Sequence, residues 1–291
     1  MDWLEVSLEV SREAVTGTEA CFEAIGALAI TLRDAADDPL FEPPPGATPL
    51  WPSARITALF EATESAGRIA EAVAAMLGAA TAQSLRFAPL AEREWTREWL
   101  AHFRPMRFGR RLWVLPHAAE RPDDPDAVCV RLDPGLAFGT GTHETTALCL
   151  AWLDGAIDGG ERLLDFGCGS GILSIAALKL GAAAAMAVDI DPQALEATRL
   201  NAAANGCAAR VTASDVLPAA RYDVIVANVL AGPLVEHAAA LIERLAAGGR
   251  IALSGVLAEQ ADAVMTAYAH AIRFDPPAER GGWVRLAGRC G

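Results

Sequence analysis

Hydrophobic and polar positions divide the 291-residue chain into three stretches with different rhythms. Across residues 1–88, Trp3 to Val10 alternate apolar and polar side chains at the period of a half-buried strand. Ser11 stands where a helix cap belongs, before a helical run to about Ile25. Ala27–Leu32, Arg55–Phe60 and Ala82–Ala88 are predicted as further strands, with a helix over Ala66–Leu77 and a proline-rich loop from Pro39 to Pro52. The order strand–helix–strand, strand–helix–strand predicts a small ferredoxin-like α+β unit. In residues 89–126, Trp95, Trp99 and Phe103 recur at i, i+4 and i+8, one face of a linker helix, and the polar turn Arg121–Asp126 closes the stretch. From 127 to 291 strand and helix alternate. Strands are expected at Val128–Leu132, Arg162–Phe166, Ala184–Val188, Arg210–Ala213, Asp223–Ala227 and Arg250–Ser254. Helices are expected at about 144–155, 171–180, 192–205, 231–246 and 258–271. Such alternation predicts a mostly parallel sheet with helices on both faces and a ligand crevice at the carboxyl ends of its strands.

Composition and charge narrow the partners. Hydrophobic residues make up 53% of the chain, ample for packed cores. Lys and Arg total 24 against 37 Asp and Glu, a net charge of -13. Coating nucleic-acid phosphates requires an excess of basic side chains, so direct nucleic-acid binding is not expected; a cytoplasmic protein with a cationic partner is. Residues 1–85 hold 13 acids against 4 bases, and the loop bearing Asp34, Asp37, Asp38 and Glu42 is either a solvated turn or part of a docking surface. Residues 86–121 reverse the balance, with 8 arginines against 4 acids; their interleaved aromatics serve packing or, alternatively, stacking on RNA. Met1–Val10 carries Asp2, Glu5 and Glu9 and no base, so no secretory leader is expected. No uncharged apolar run reaches the ~18–20 residues that cross a bilayer. The six cysteines form no C-x-x-C pair, so they are expected reduced, without a zinc site.

The chemistry concentrates at predicted strand ends. Leu163–Phe166 runs into Gly167, Gly169 and Gly171, then a helix, a turn in which the backbone approaches a ligand with no Cβ in the way. A dinucleotide fingerprint needs glycine where Ile172 stands. Instead Asp165 precedes the first glycine by two, an acid suited to the cationic end of S-adenosylmethionine and unsuited to a pyrophosphate. Asp189, 18 residues beyond Gly171, is placed to accept hydrogen bonds from ribose hydroxyls. Asp191 before Pro192 has the duller role of helix cap. Asp215 lies either near an adenine or on a surface turn. Asn228 ends an apolar strand, its amide able to hold a polar group or an amine; the N-P-P-Y pattern of nucleobase-amine methyltransferases is missing. In Asp133–Thr146, three glycines and several threonines form a loop expected to fold over the cofactor. It lacks a P-loop lysine, and Ala147 stands where a zinc protease needs histidine. His143 is a general base, a pocket hydrogen-bonding residue or an inert surface residue.

Phe138–Thr146, Asp165–Gly171, Asp189–Pro192 and Asn228–Leu230 together resemble the ribosomal large-subunit protein 11 methyltransferase family. The resemblance implies a Rossmann-like class I methyltransferase domain over 127–291, with a mostly parallel seven-stranded sheet. It also implies that the ferredoxin-like domain (1–88) grips the ribosomal protein, joined by the linker (89–126). S-adenosylmethionine would be the methyl donor, without metal, and lysine side chains and the α-amine the acceptors. Carried over by position, Thr146, Gly167, Asp189 and Asn228 would bind the donor, alongside Asp165 and Gly169 of the turn. Asn228 would also orient the acceptor amine.

Overall fold

The computed structural model describes residues 3–36, 51–90, 104–132 and 143–291. The chain forms two compact units, Met1–Glu94 and Trp95–Gly291.

In the first unit the elements are β1 (Trp3–Ser11), α1 (Val15–Ala24), β2 (Ala29–Asp34), β3 (Ser53–Glu61), α2 (Ala66–Leu77), α3 (Ala79–Gln83) and β4 (Arg86–Leu90). The sheet order is β2-β3-β1-β4, every neighbouring pair antiparallel. Period-two alternation sends Val6 and Leu8 of β1 and Ile56, Ala58 and Phe60 of β3 to one face, where Phe22 of α1 and Ile69 and Val73 of α2 complete the core. Two expectations change in detail. Ser11 ends β1 and makes no side-chain cap bond, and residues 79–83 are helical, so the last strand begins only at Arg86. The aromatic repeat Trp95–Phe103 and the acidic positions Asp37, Asp38 and Glu42 lie outside the described residues.

The second unit holds two sheets. β5 (Met106–Phe108), β6 (Leu112–Leu115) and β7 (Val128–Arg131) make a small sheet of their own, β5 and β6 antiparallel, β6 and β7 parallel. The strand expected at Val128–Leu132 therefore exists but does not enter the large sheet. That sheet comprises β8 (Arg162–Phe166), β9 (Ala184–Val188), β10 (Val211–Ser214), β11 (Tyr222–Asn228), β12 (Leu245–Leu257), β13 (Ile272–Phe274), β14 (Ala278–Arg280) and β15 (Trp283–Cys290). Its order is β10-β9-β8-β11-β12-β15-β13, with β14 paired to β15 beside this path. The sheet has eight strands where the resemblance implied seven: five parallel strands and an antiparallel edge of β13, β14 and β15, which the sequence pattern did not predict.

Helices α4 (Glu144–Ala156), α5 (Ile172–Leu180), α6 (Pro192–Ala204), α7 (Ala231–Glu236), α8 (Ala238–Arg244) and α9 (Ala261–Tyr268) accompany the large sheet. Adjacent Leu163 and Leu164 of β8 point to opposite faces, one into the core shared with α4 and α5, the other into the core shared with α7, α8 and α9. Every residue of α5 except Lys179 is buried, as a helix apolar all round must be. The chain winds outward from β8 through β9 to β10, then returns to lay β11 and β12 on the other side. The crevice at the carboxyl ends of β8 and β11 is thus the topological switch point where ligands bind in this architecture.

Candidate active site

The glycine turn is built by backbone conformations that side chains resist. Gly167, Gly169 and Gly171 have φ of 74°, 52° and 77°, all left-handed. At Gly167 a Cβ would also lie 2.1 Å from Cγ1 of Val229, and at Gly171 2.8 Å from Oγ1 of Thr198. The turn is tied to the next strand, since the Gly167 and Cys168 amides donate to the carbonyl of Val188 at 2.8 and 3.0 Å. Cys168 fills space: burial pushes its thiol up to about 12, so it stays protonated.

Asp189 stands at the end of β9. Its Oδ2 accepts from the Gly169 amide at 2.9 Å and its Oδ1 from the Asp191 amide at 3.0 Å. Each oxygen has a further lone pair to offer a ligand hydroxyl. Asp191 accepts from the Gln193 amide at 2.8 Å and precedes Pro192 at the first helical position, which makes it the cap of α6.

Asp165 sits apart from the cavity. It is fully buried, and its Oδ2 accepts from both the amide and the hydroxyl of Ser174, at 3.0 and 2.8 Å, while Oδ1 is buried without a partner. Burial pushes its pKa up to about 7, the Ser174 bonds opposing the shift and the Asp189 charge adding to it. The direct ligand contact expected of Asp165 gives way to a supporting position beneath the turn, holding β8 to the first turns of α5.

At the tip of β11, the Nδ2 of Asn228 donates to Oγ1 of Thr146 at 3.2 Å. Thr146 is wholly buried in the first turn of α4. The amide oxygen of half-buried Asn228 has no hydrogen-bond partner among the described residues, leaving an acceptor of fixed orientation. A cavity of about 520 Å³ joins these parts, lined by Thr146, Phe166, Gly167, Gly169, Asp189 and Asn228. Ile190, Val229, Pro233, Glu236 and His237 line it too. The sequence reading missed Glu236 and His237. They follow the strand end by a short helix in an otherwise apolar run, and only the break between α7 and α8 at His237 hints at them. His237 packs edge-to-face on Phe166 with centroids 5.2 Å apart. Asp215 is not among the lining residues.

His143 is placed elsewhere. It caps α4, its Nδ1 accepting from the Thr145 amide at 3.4 Å and lying 2.8 Å from the Thr145 hydroxyl, and its ring meets Trp283 edge-to-face at 5.2 Å. It does not line the cavity. The preceding loop, residues 133–142, lies outside the described residues.

A strand-end carboxylate with lone pairs to spare, a side-chain-free turn and an oriented amide acceptor in one cavity fit S-adenosylmethionine. The clash awaiting any Cβ at Gly167 is the sharpest sign that backbone must pass this point bare. The family model described as ribosomal protein L11 methyltransferase (PrmA) matches residues 2–290. The chain belongs to the ribosomal protein L11 methyltransferase family. A ribosomal protein L11 methyltransferase of Pseudomonas aeruginosa is 50% identical over 294 residues, covering 99% of each chain. That of Chromohalobacter salexigens is 50% identical over 298 residues, covering 100% of this chain and 99% of its own. Among solved structures, the ribosomal protein L11 methylase of Lactobacillus delbrueckii subsp. bulgaricus is 33% identical with a TM-score of 0.60, covering 65% of this chain and all of that one. As a member of the ribosomal protein L11 methyltransferase family, the chain is a methyltransferase that uses S-adenosylmethionine and acts on a protein. No described helix is long and apolar enough to cross a membrane.

Proposed function

We propose that this protein methylates lysine side chains and the α-amine of ribosomal protein L11 in the cytoplasm. The observation that carries the reading is the Asn228–Thr146 hydrogen bond, which fixes an amide with its oxygen open at the cavity. S-adenosylmethionine, when bound, supplies a sulfonium methyl group to an attacking amine and leaves as a neutral thioether. Asp189 would hold the ribose hydroxyls, the turn Gly167–Gly169 would lie against the donor, and Asp165 would keep that turn in place from below.

An amine attacks only when uncharged. Freeing a lysine from its proton at pH 7 costs about 4.6 kcal/mol from a reference pKa near 10.4, whereas an α-amine near 7.7–8.0 costs about 1 kcal/mol. The Asn228 oxygen accepts one N–H of the neutral amine and aims its lone pair, so that positioning supplies much of the rate. The proton lost on entry goes to water, and no dedicated base is required. Glu236, a cavity carboxylate with no hydrogen bond or ion pair among the described residues, attracts the ammonium form before it is desolvated.

We assign recognition of the ribosomal protein to residues 1–88 and read them as a ferredoxin-like domain, supported by the antiparallel order β2-β3-β1-β4 with α1 and α2 on one face. An excess of nine acids over bases in residues 1–85 suits a basic substrate. Residues 89–126 serve as the connection and 127–291 as the methyltransferase domain. The test is tritium-labelled S-adenosylmethionine with purified L11, then mass spectrometry of the product. Label on lysines and the N-terminal amine is expected; label on ribosomal RNA and none on L11 overturns the reading.

A further inference from the structure

The face of the large sheet that packs on α4 carries a row of arginines. Arg250 of β12 stands directly opposite Arg289 of β15, and Arg289 directly opposite Arg273 of β13. Residues so paired point to the same face with Cβ atoms about 4.5–5.5 Å apart, and like charges at that spacing oppose folding. Arg285, four positions before Arg289 on the same strand, shares the face. One member is neutralised: Arg250 pairs with Asp158 at 3.0 Å and Glu161 at 3.1 Å. Arg273 and Arg289 have no hydrogen bond or ion pair among the described residues. Arg285 donates through Nη1 to the Leu148 carbonyl at 3.4 Å, but its Nε is buried without a partner.

Three of these arginines line a cavity. A space of about 340 Å³ is lined by Arg250, Arg285 and Arg289, by Trp152 of α4, and by one carboxylate, Asp275. It is separate from the methyl-transfer cavity. Arg250 is level with Val224 on β11, whereas Asn228 is level with Ser254, a difference of about 13 Å along the strands at ~3.3 Å per residue. In a protein of net charge -13 an anion is repelled at long range, so only a local concentration of guanidinium groups can retain one.

We propose that this cavity is a second binding site, for the phosphate group of a nucleotide, either free or within an RNA chain. The guanidinium fork matches phosphate oxygens two at a time. Phosphate offers more oxygens and more negative charge to several forks at once than a carboxylate, with two oxygens and a single charge, can.

Calorimetric titration of the full chain saturated with S-adenosylhomocysteine tests this, because the methyl-transfer cavity is then filled. The probes are uridine monophosphate, octauridylate and a tetraglutamate peptide. Uridine monophosphate is expected to bind, about tenfold more weakly in Arg289→Gln and in Arg285→Gln, the scale of one lost charged hydrogen bond. Arg68→Gln, on the other compact unit, is expected to bind as the parent does. Octauridylate binding far more tightly than the mononucleotide assigns the phosphate to RNA, and equal affinity per site assigns it to the free nucleotide. Absence of binding by both, affinity unchanged in both row variants, or tetraglutamate binding equally well overturns the proposal. Failure of S-adenosylhomocysteine to bind would bear on the methyl-transfer reading and leave the arginine comparison intact.

Discussion

Replacing Gly167 with alanine isolates the geometry on which the cavity depends. Its φ of 74° costs a residue with a Cβ about 1–2 kcal/mol. The added methyl would lie 2.1 Å from Cγ1 of Val229, and β-branched valine has no free rotation with which to yield. Overpacking of this kind costs about 1–3 kcal/mol, so Gly167→Ala is expected to lose about 2–5 kcal/mol in all, the sum of those two ranges. The two parts separate in a double-mutant cycle. Val229→Ala removes the colliding methyl groups, and in that background Gly167→Ala should cost only the conformational part. Urea denaturation of the four proteins measures stability, and calorimetry with S-adenosylhomocysteine measures the cavity. Because Val229 adjoins Asn228, the single variant should also lose ligand affinity and the double variant recover part of it. If Gly167→Ala costs the same with Val229 present or absent, the collision is not what demands glycine there and the reasoning fails.

Asn228→Ala is expected to lower kcat by about a hundredfold, on the scale of positioning effects; full activity in a labelled-methyl assay with unchanged donor affinity would refute the orienting role. Glu236→Gln should raise KM for the protein substrate several-fold with kcat nearly unchanged, and a kcat loss at constant KM would count against an attracting role. Asp165 also gives a pH signature. Its folded pKa, about 7, lies above the 3.8 of an ordinary aspartate, so the native state holds the proton more tightly and the contribution of this group falls as pH rises from about 4 to 7. The stability difference between Asp165→Asn and the parent should change through that window and level off above it, as read by urea melts at successive pH values. A difference independent of pH would show that Asp165 titrates normally. If, as we propose, the acid-rich residues 1–85 steer a basic partner through screened interactions, the KM for L11 should rise with salt; a salt-independent KM would remove that assignment.

Much of this site was legible because its chemistry is local. Alternate glycines after an apolar strand specify a turn, and Asp191 before Pro192 specifies a helix start, wherever the rest of the chain goes. Asp189 and Asn228 were singled out from their positions at strand ends, and both line the cavity. What failed depends on partners distant in sequence. Val128–Arg131 has every mark of a strand, yet pairing with β6 rather than a strand of the large sheet is decided in three dimensions. The short strands β13 and β14, three residues each, carry too few positions for a period to emerge. Asp165 illustrates a subtler failure: the offset correctly marked an acid tied to the turn, but spacing cannot distinguish an acid facing the ligand from one buried under the loop that does.

The double bond-holding of Asp189 has a consequence for redesign. One carboxylate fastens the glycine loop through the Gly169 amide and the start of the following segment through the Asp191 amide, while the same side chain lines the cavity in which we propose the donor's ribose sits. Changing donor selectivity here, for instance toward a sugar bearing an extra phosphate, would strip two backbone amides of their acceptor in the same stroke. Any such redesign has to rebuild the scaffold before it can retune the specificity.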